Sequence, residues 1–103
     1  GGQGRYGRAI DDFSHVIRLK PDFADAYNNR GYSYFQWGRE HLAIEDYTKA
    51  IGLKSNDAGY HMNRAAAYIK KRNYIFGCRD AQKACEMGNC RILESAKIKG
   101  FCP

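Results

Sequence analysis

In the middle of the chain, apolar and small side chains return every three to four residues in two consecutive stretches. The first holds Tyr27, Gly31 and Tyr34, and the second holds Ala43, Ile44, Tyr47, Ala50 and Ile51. Between them stands the breaker Trp37-Gly38. The spacing predicts helix, turn, helix. The polar runs Pro21-Asp22 and Ser55-Asn56-Asp57 supply turn and capping residues ahead of the next helices. No segment shows the strict alternation of a strand.

The unit repeats. A shift of 34 residues lays Ala24 on Ala58, Asn29-Arg30 on Asn63-Arg64, Tyr34 on Tyr68, Asp46 on Asp80 and Lys49-Ala50 on Lys83-Ala84. Shifted the other way, Gly4-Arg5 falls on Gly38-Arg39, Ala9-Ile10 on Ala43-Ile44, Ile17 on Ile51 and Leu19-Lys20 on Leu53-Lys54. Residues 1–23 therefore read as the second half of an earlier repeat, 24–57 and 58–91 as whole repeats, and 91–103 as a capping helix and tail, all in one domain. The pattern starts in mid-repeat at Gly1 and Gly2, which reads as a fragment or a tag remnant. Gly31 or Ala65, and Ala43 or Gly77, fall where paired helices approach most closely, with Tyr34 and Tyr68 beside them. Arg30 and Arg64 recur against Asp12, Asp46 and Asp80; we expect a scaffold in which each arginine pairs with the aspartate of the preceding repeat, Asp12 with Arg30 and Asp46 with Arg64.

This period, with Gly31, Tyr34, Ala43, Tyr47 and Ala50 in one repeat, Ala65, Tyr68, Gly77 and Ala84 in the next, and Ala9, Phe13 and Pro21 in the partial one, resembles the tetratricopeptide repeat family. Departures are Ser55 and Asn89 in the proline place, Ala81 in an aromatic place and Val16 in an alanine place. The resemblance implies an all-α fold, a right-handed superhelical solenoid of antiparallel helix pairs with a C-terminal capping helix. It also implies a non-catalytic module that binds a peptide segment of a partner protein in a concave groove. The groove places are Asp25, Asn28, Asn29, Tyr32, Phe35 and Gln36, then Gly59, Met62, Asn63, Ala66, Ile69 and Lys70. Asparagine amides both donate and accept, which suits a peptide backbone. Tyr32, Phe35, Met62 and Ile69 offer apolar surface for anchor side chains, or else pack between helices. One family subset grips chaperone carboxylates with a basic clamp; here Asn28 and Gly59 stand at basic places of that clamp, and only Asn29 or Asn63, with Lys97 on the cap, correspond to it.

All four cysteines lie in the last quarter of the chain. Cys78 and Cys85 take the places of Ile10 and Ile17, and of Ile44 and Ile51, so they face the following helix. That helix, Arg91 to Lys99 and ended by Gly100, returns antiparallel after the turn at Gly88-Asn89. In such a hairpin Cys85 meets Cys90 and Cys78 meets Cys102, making two disulfide candidates. Free buried thiols in a reducing cytosol and a four-cysteine zinc site are the other readings, the latter at odds with the close ligand pairs of zinc knuckles.

Charge changes the picture little. Seventeen basic against eleven acidic residues give a net +6, which suits an acidic protein or nucleic acid. The cations are spread along the helices, so nucleic acid is the alternative reading and oligomerisation a third, through a dimer sharing the face of Ala9, Ile10 and Phe13. No apolar run spans a membrane, and no cofactor, metal ligand set or nucleophile and base pair stands out. His15, His41 and His61 are scattered over the chain. Paired cysteines would place the protein in the periplasm or outside the cell; free ones would fit the cytoplasm.

Overall fold

The computed structural model describes residues 2–103, with side chains from residue 4 onward. Among these residues there are six helices and no strand: α1 (Gly2–Leu19), α2 (Ala24–Gln36), α3 (Glu40–Leu53), α4 (Ala58–Lys70), α5 (Tyr74–Glu86) and α6 (Arg91–Ile98). They form two units, residues 1–55 with α1 to α3 and residues 56–103 with α4 to α6.

In the first unit α2 packs against both α1 and α3. Small side chains make this possible. Ala43 and Ala50 on α3 are wholly buried, and Tyr47 between them is 1% exposed. Its ring lies over Gly31, where a Cβ atom would come within 2.9 Å of Tyr47 Cε1 and 3.1 Å of Asp46 Cβ. Burial pushes the Tyr47 phenol well above its ordinary value, so it stays neutral. The apolar face expected to seek a second chain is largely covered: Ile10 is buried, and Ala9 and Phe13 are half-buried.

The second unit repeats the plan with the glycine on the other helix of the pair. A Cβ on Gly77 of α5 would lie 2.7 Å from Ile69 Cγ1 and 3.3 Å from the Ala65 carbonyl oxygen of α4. Ala65, Ala81, Leu93, Ala96 and Cys102 form the core, with Ile69, Cys78, Cys85, Ile92 and Phe101 packed against it. The sulfurs of Cys78 and Cys102, and those of Cys85 and Cys90, lie at bonding distance, with Cα separations of 5.6 Å and 3.9 Å. The eight-residue α6 is thus held at Cys90, its N-cap, and at Cys102 beyond its last turn.

Caps and turns agree in part with the sequence reading. Asp57 caps α4 by accepting from the Gly59 and Tyr60 amides at 2.8 and 3.3 Å. Before α2, by contrast, the N-cap is Phe23, without a side-chain bond, and not Asp22. The turn residue Gly38 has φ +79°; its counterpart one period later is Arg72, held at φ 64°.

The charge pairing differs from expectation. Arg30 donates to Asp46 through Nε and Nη2 at 2.8 and 2.7 Å, and Arg64 donates to Asp80 in the same way at 2.7 and 2.8 Å. Each pair joins the two helices of one repeat, so the expected partners of the preceding repeat are not the ones used. What Arg30 takes from α1 is a bond to Ser14 Oγ at 3.1 Å, and Asp12 stays exposed. Burial raises Asp46 above the ordinary carboxylate value, and the Arg30 hydrogen bonds offset this only in part. Such a pair adds little net stability but is costly to break, because one charge is left buried. Arg64→Ala is therefore expected to lower the unfolding free energy by about 3 kcal/mol in urea titration. An unchanged melting curve with altered partner affinity would contradict this scaffold role.

Candidate functional site

The second unit presents two matching stripes. On α4, Met62, Asn63 and Ala66 follow the spacing i, i+1, i+4; on α6, Arg91, Ile92 and Ser95 do the same. That spacing keeps three side chains on one side of a helix. The two stripes line one open cleft of about 330 Å³. Its α6 wall is positioned from below by Leu93 and Ala96, 7% and 3% exposed in the core. At the start of α6, Asn89 Oδ1 accepts from the Arg91 amide at 3.1 Å.

The chemistry of the cleft is mixed. Met62 and Ile92 offer adaptable aliphatic surface, and Ala66 leaves room between them. Asn63 brings a donor and an acceptor, Ser95 a hydroxyl, and the exposed Arg91 guanidinium a cation with donors only. An apolar wall with a few convergent polar groups is the usual make-up of a binding cleft. Among the described residues no group of three or more His, Cys, Asp or Glu side chains is arranged to hold a metal ion.

Asp25, Asn29, Tyr32 and Gln36 are exposed on α2 in the first unit, and Asn28 and Phe35 are half-buried there. Tyr32, with 51% exposure, presents the most open ring of this set. Lys70 is exposed at the end of α4, whereas Ile69 packs against Gly77 and the core. Arg91, Ile92 and Ser95 were not foreseen as site residues. Their i, i+1, i+4 match to Met62, Asn63 and Ala66 is the signal that could have found them.

Family models match the chain twice, one described as tetratricopeptide repeat over residues 24–57 and one as TPR repeat over residues 3–38. Together they run over residues 3–57, more than half of the 103. Among solved structures, the chain is similar to the first TPR of Spaghetti (RPAP3) bound to the HSP90 peptide SRMEEVD. The two share 22% identity and a TM-score of 0.86, over 92% of this chain and 77% of that one. The first TPR domain of human RPAP3 gives 22% identity and a TM-score of 0.87 over 96% and 80% of the two chains. The Arabidopsis OM64 TPR domain gives 20% and 0.85 over 92% and 80%. At these identities the likeness is one of fold. No curated protein sequence matches the chain significantly. The chain belongs to the tetratricopeptide repeat family, and its fold is an all-α solenoid of helix pairs.

Proposed function

We propose that the chain is a non-catalytic protein-interaction module that holds a peptide segment of a partner in the cleft between α4 and α6. The observation that carries this reading is the convergence of Met62, Asn63 and Ala66 with Arg91, Ile92 and Ser95. A neighbour of the same fold holds a peptide, SRMEEVD of HSP90. An extended peptide presents alternating apolar side chains and backbone amides, and the cleft pairs aliphatic wall with amide and hydroxyl groups to meet both. Asp25, Asn28, Asn29, Tyr32, Phe35 and Gln36 on α2 are peptide contacts of the first unit in their own right, and Lys70 on α4 is one of the second. Tyr32 is the anchor of that set. In peptides selected from a random displayed library, Ala66→Glu is expected to weaken binding at least tenfold with the melting temperature unchanged, because a charged side chain then fills the cleft. Full binding by a folded Ala66→Glu variant would dismiss the cleft.

In this reading the four cysteines are two disulfides, Cys78 with Cys102 and Cys85 with Cys90, and the protein works in an oxidising compartment. Their task is to hold α6 in place as a wall of the cleft. Loop-closure entropy assigns about 3.5 kcal/mol to the longer bridge and about 2 kcal/mol to the shorter. Alkylation and mass spectrometry without reductant is expected to find no free thiol, and reduction is expected to lower the melting temperature. Four alkylated thiols in the unreduced protein would overturn the pairing.

A further inference from the structure

One end of the second unit gathers features that the cleft does not use. The start of α5 and the end of α6 meet there: the Tyr74 ring stacks on Phe101 with centroids 4.8 Å apart and planes 7° from parallel, and Cys78 sits opposite Cys102. Beside this junction stand Ile75, 76% exposed, and Ile98, 87% exposed. These are the two most exposed large hydrophobic side chains among the described residues. Lys71, Arg72, Lys97 and Lys99 flank them, all exposed. No acidic residue occurs in 70–79 or in 95–103. The second unit carries nine basic against four acidic side chains, and the first carries eight against seven.

Ordinary scaffold needs explain only part of this. Cations near the ends of α4 and α6 complement the helix dipoles. They do not explain isoleucines left in water. Nor do they explain Arg72, which holds φ 64° where the preceding repeat places Gly38 at φ +79°. The left-handed backbone itself closes α4, the Asn73 amide bonding the Tyr68 carbonyl at 2.9 Å as the Arg39 amide bonds Tyr34 at 2.8 Å; what the helix end does not require is an arginine where glycine would be unstrained.

We propose that this end of the second unit is a peripheral docking surface for a bilayer carrying anionic lipids. Exposed aliphatic tips with lysine and arginine next to them along the chain suit the boundary between headgroups and acyl chains. There the isoleucines leave water while the cations meet lipid phosphates and carboxylates. Nucleic acid is a poorer fit. At this end Tyr74 and Phe101 stack on each other, the Phe76 ring, 44% exposed, is already met by Tyr68 at 5.5 Å and by the Arg79 guanidinium at 5.2 Å, and isoleucine can neither stack nor hydrogen-bond. No helix is long and apolar enough to cross a membrane among the described residues, so the docking is peripheral.

Sedimentation of the intact chain with vesicles decides the matter. Vesicles of phosphatidylcholine with about 30 mol% phosphatidylserine are expected to bind it, and phosphatidylcholine alone at least tenfold more weakly. Raising the salt severalfold is expected to weaken binding. The double variant Ile75→Asp with Ile98→Asp is expected to lose at least tenfold while circular dichroism shows unchanged helix content and melting. Arg72→Gly separates the two roles of that residue: it is expected to melt higher, as strain is relieved, and yet bind about fivefold more weakly. The proposal is overturned if the phosphatidylserine vesicles do not bind the wild type. It is equally overturned if the folded isoleucine variant binds as well as the wild type, or if a polynucleotide binds and the vesicles do not.

Discussion

Each helix pair depends on one place where a helix carries no side chain, so that its partner can pass. In the first unit that place is Gly31, under the ring of Tyr47; in the second it is Gly77, against Ile69 and the Ala65 carbonyl. Interiors are packed too closely to absorb an extra methyl group at such distances. The close approach then sets what the neighbouring side chains can do. It brings Arg30 onto Asp46 and Arg64 onto Asp80 in a two-bond geometry that fixes how the helices are aligned. With so many alanines in the core, these contacts specify the pairing more than bulk apolar volume does.

Much of the fold was legible in the sequence because the repeat states it twice. The 34-residue register located the helices, the turns at Trp37-Gly38 and Gly88-Asn89, and the small residues at the crossings. The cysteine partners were legible for a geometric reason: in an antiparallel hairpin, opposed residues keep a nearly constant sum of positions, which brings Cys85 to Cys90 and Cys78 to Cys102. The partner of each arginine was not legible. An aspartate lies at a similar distance along the chain on either side of Arg30, at Asp12 and at Asp46, and only the packing of α2 on α3 chooses between them. The residue that caps α2 was not legible either, since Asp22 has capping chemistry but Phe23 occupies the capping position.

The cleft was only half legible. Met62, Asn63 and Ala66 follow from the family's pattern on α4, but the opposite wall depends on how the last helix is rotated about its own axis. That rotation is set by Leu93 and Ala96 turning into the core and by the cysteine pairs at both ends of α6. An isolated helix of eight residues would not persist in water, so α6 owes its place to those contacts. Arg91, Ile92 and Ser95 are left lining the cleft with α4 residues, and the cap is a wall of the cleft as well as a cover for the core.

A peptide lying between α4 and α6 would touch the amides of both walls of the cleft. Amide chemical-shift mapping by NMR, with a peptide selected from a random library, tests it most directly. The largest shifts are expected at Met62, Asn63, Ala66, Arg91, Ile92 and Ser95. Shifts that spare these six and gather elsewhere in the second unit would contradict it.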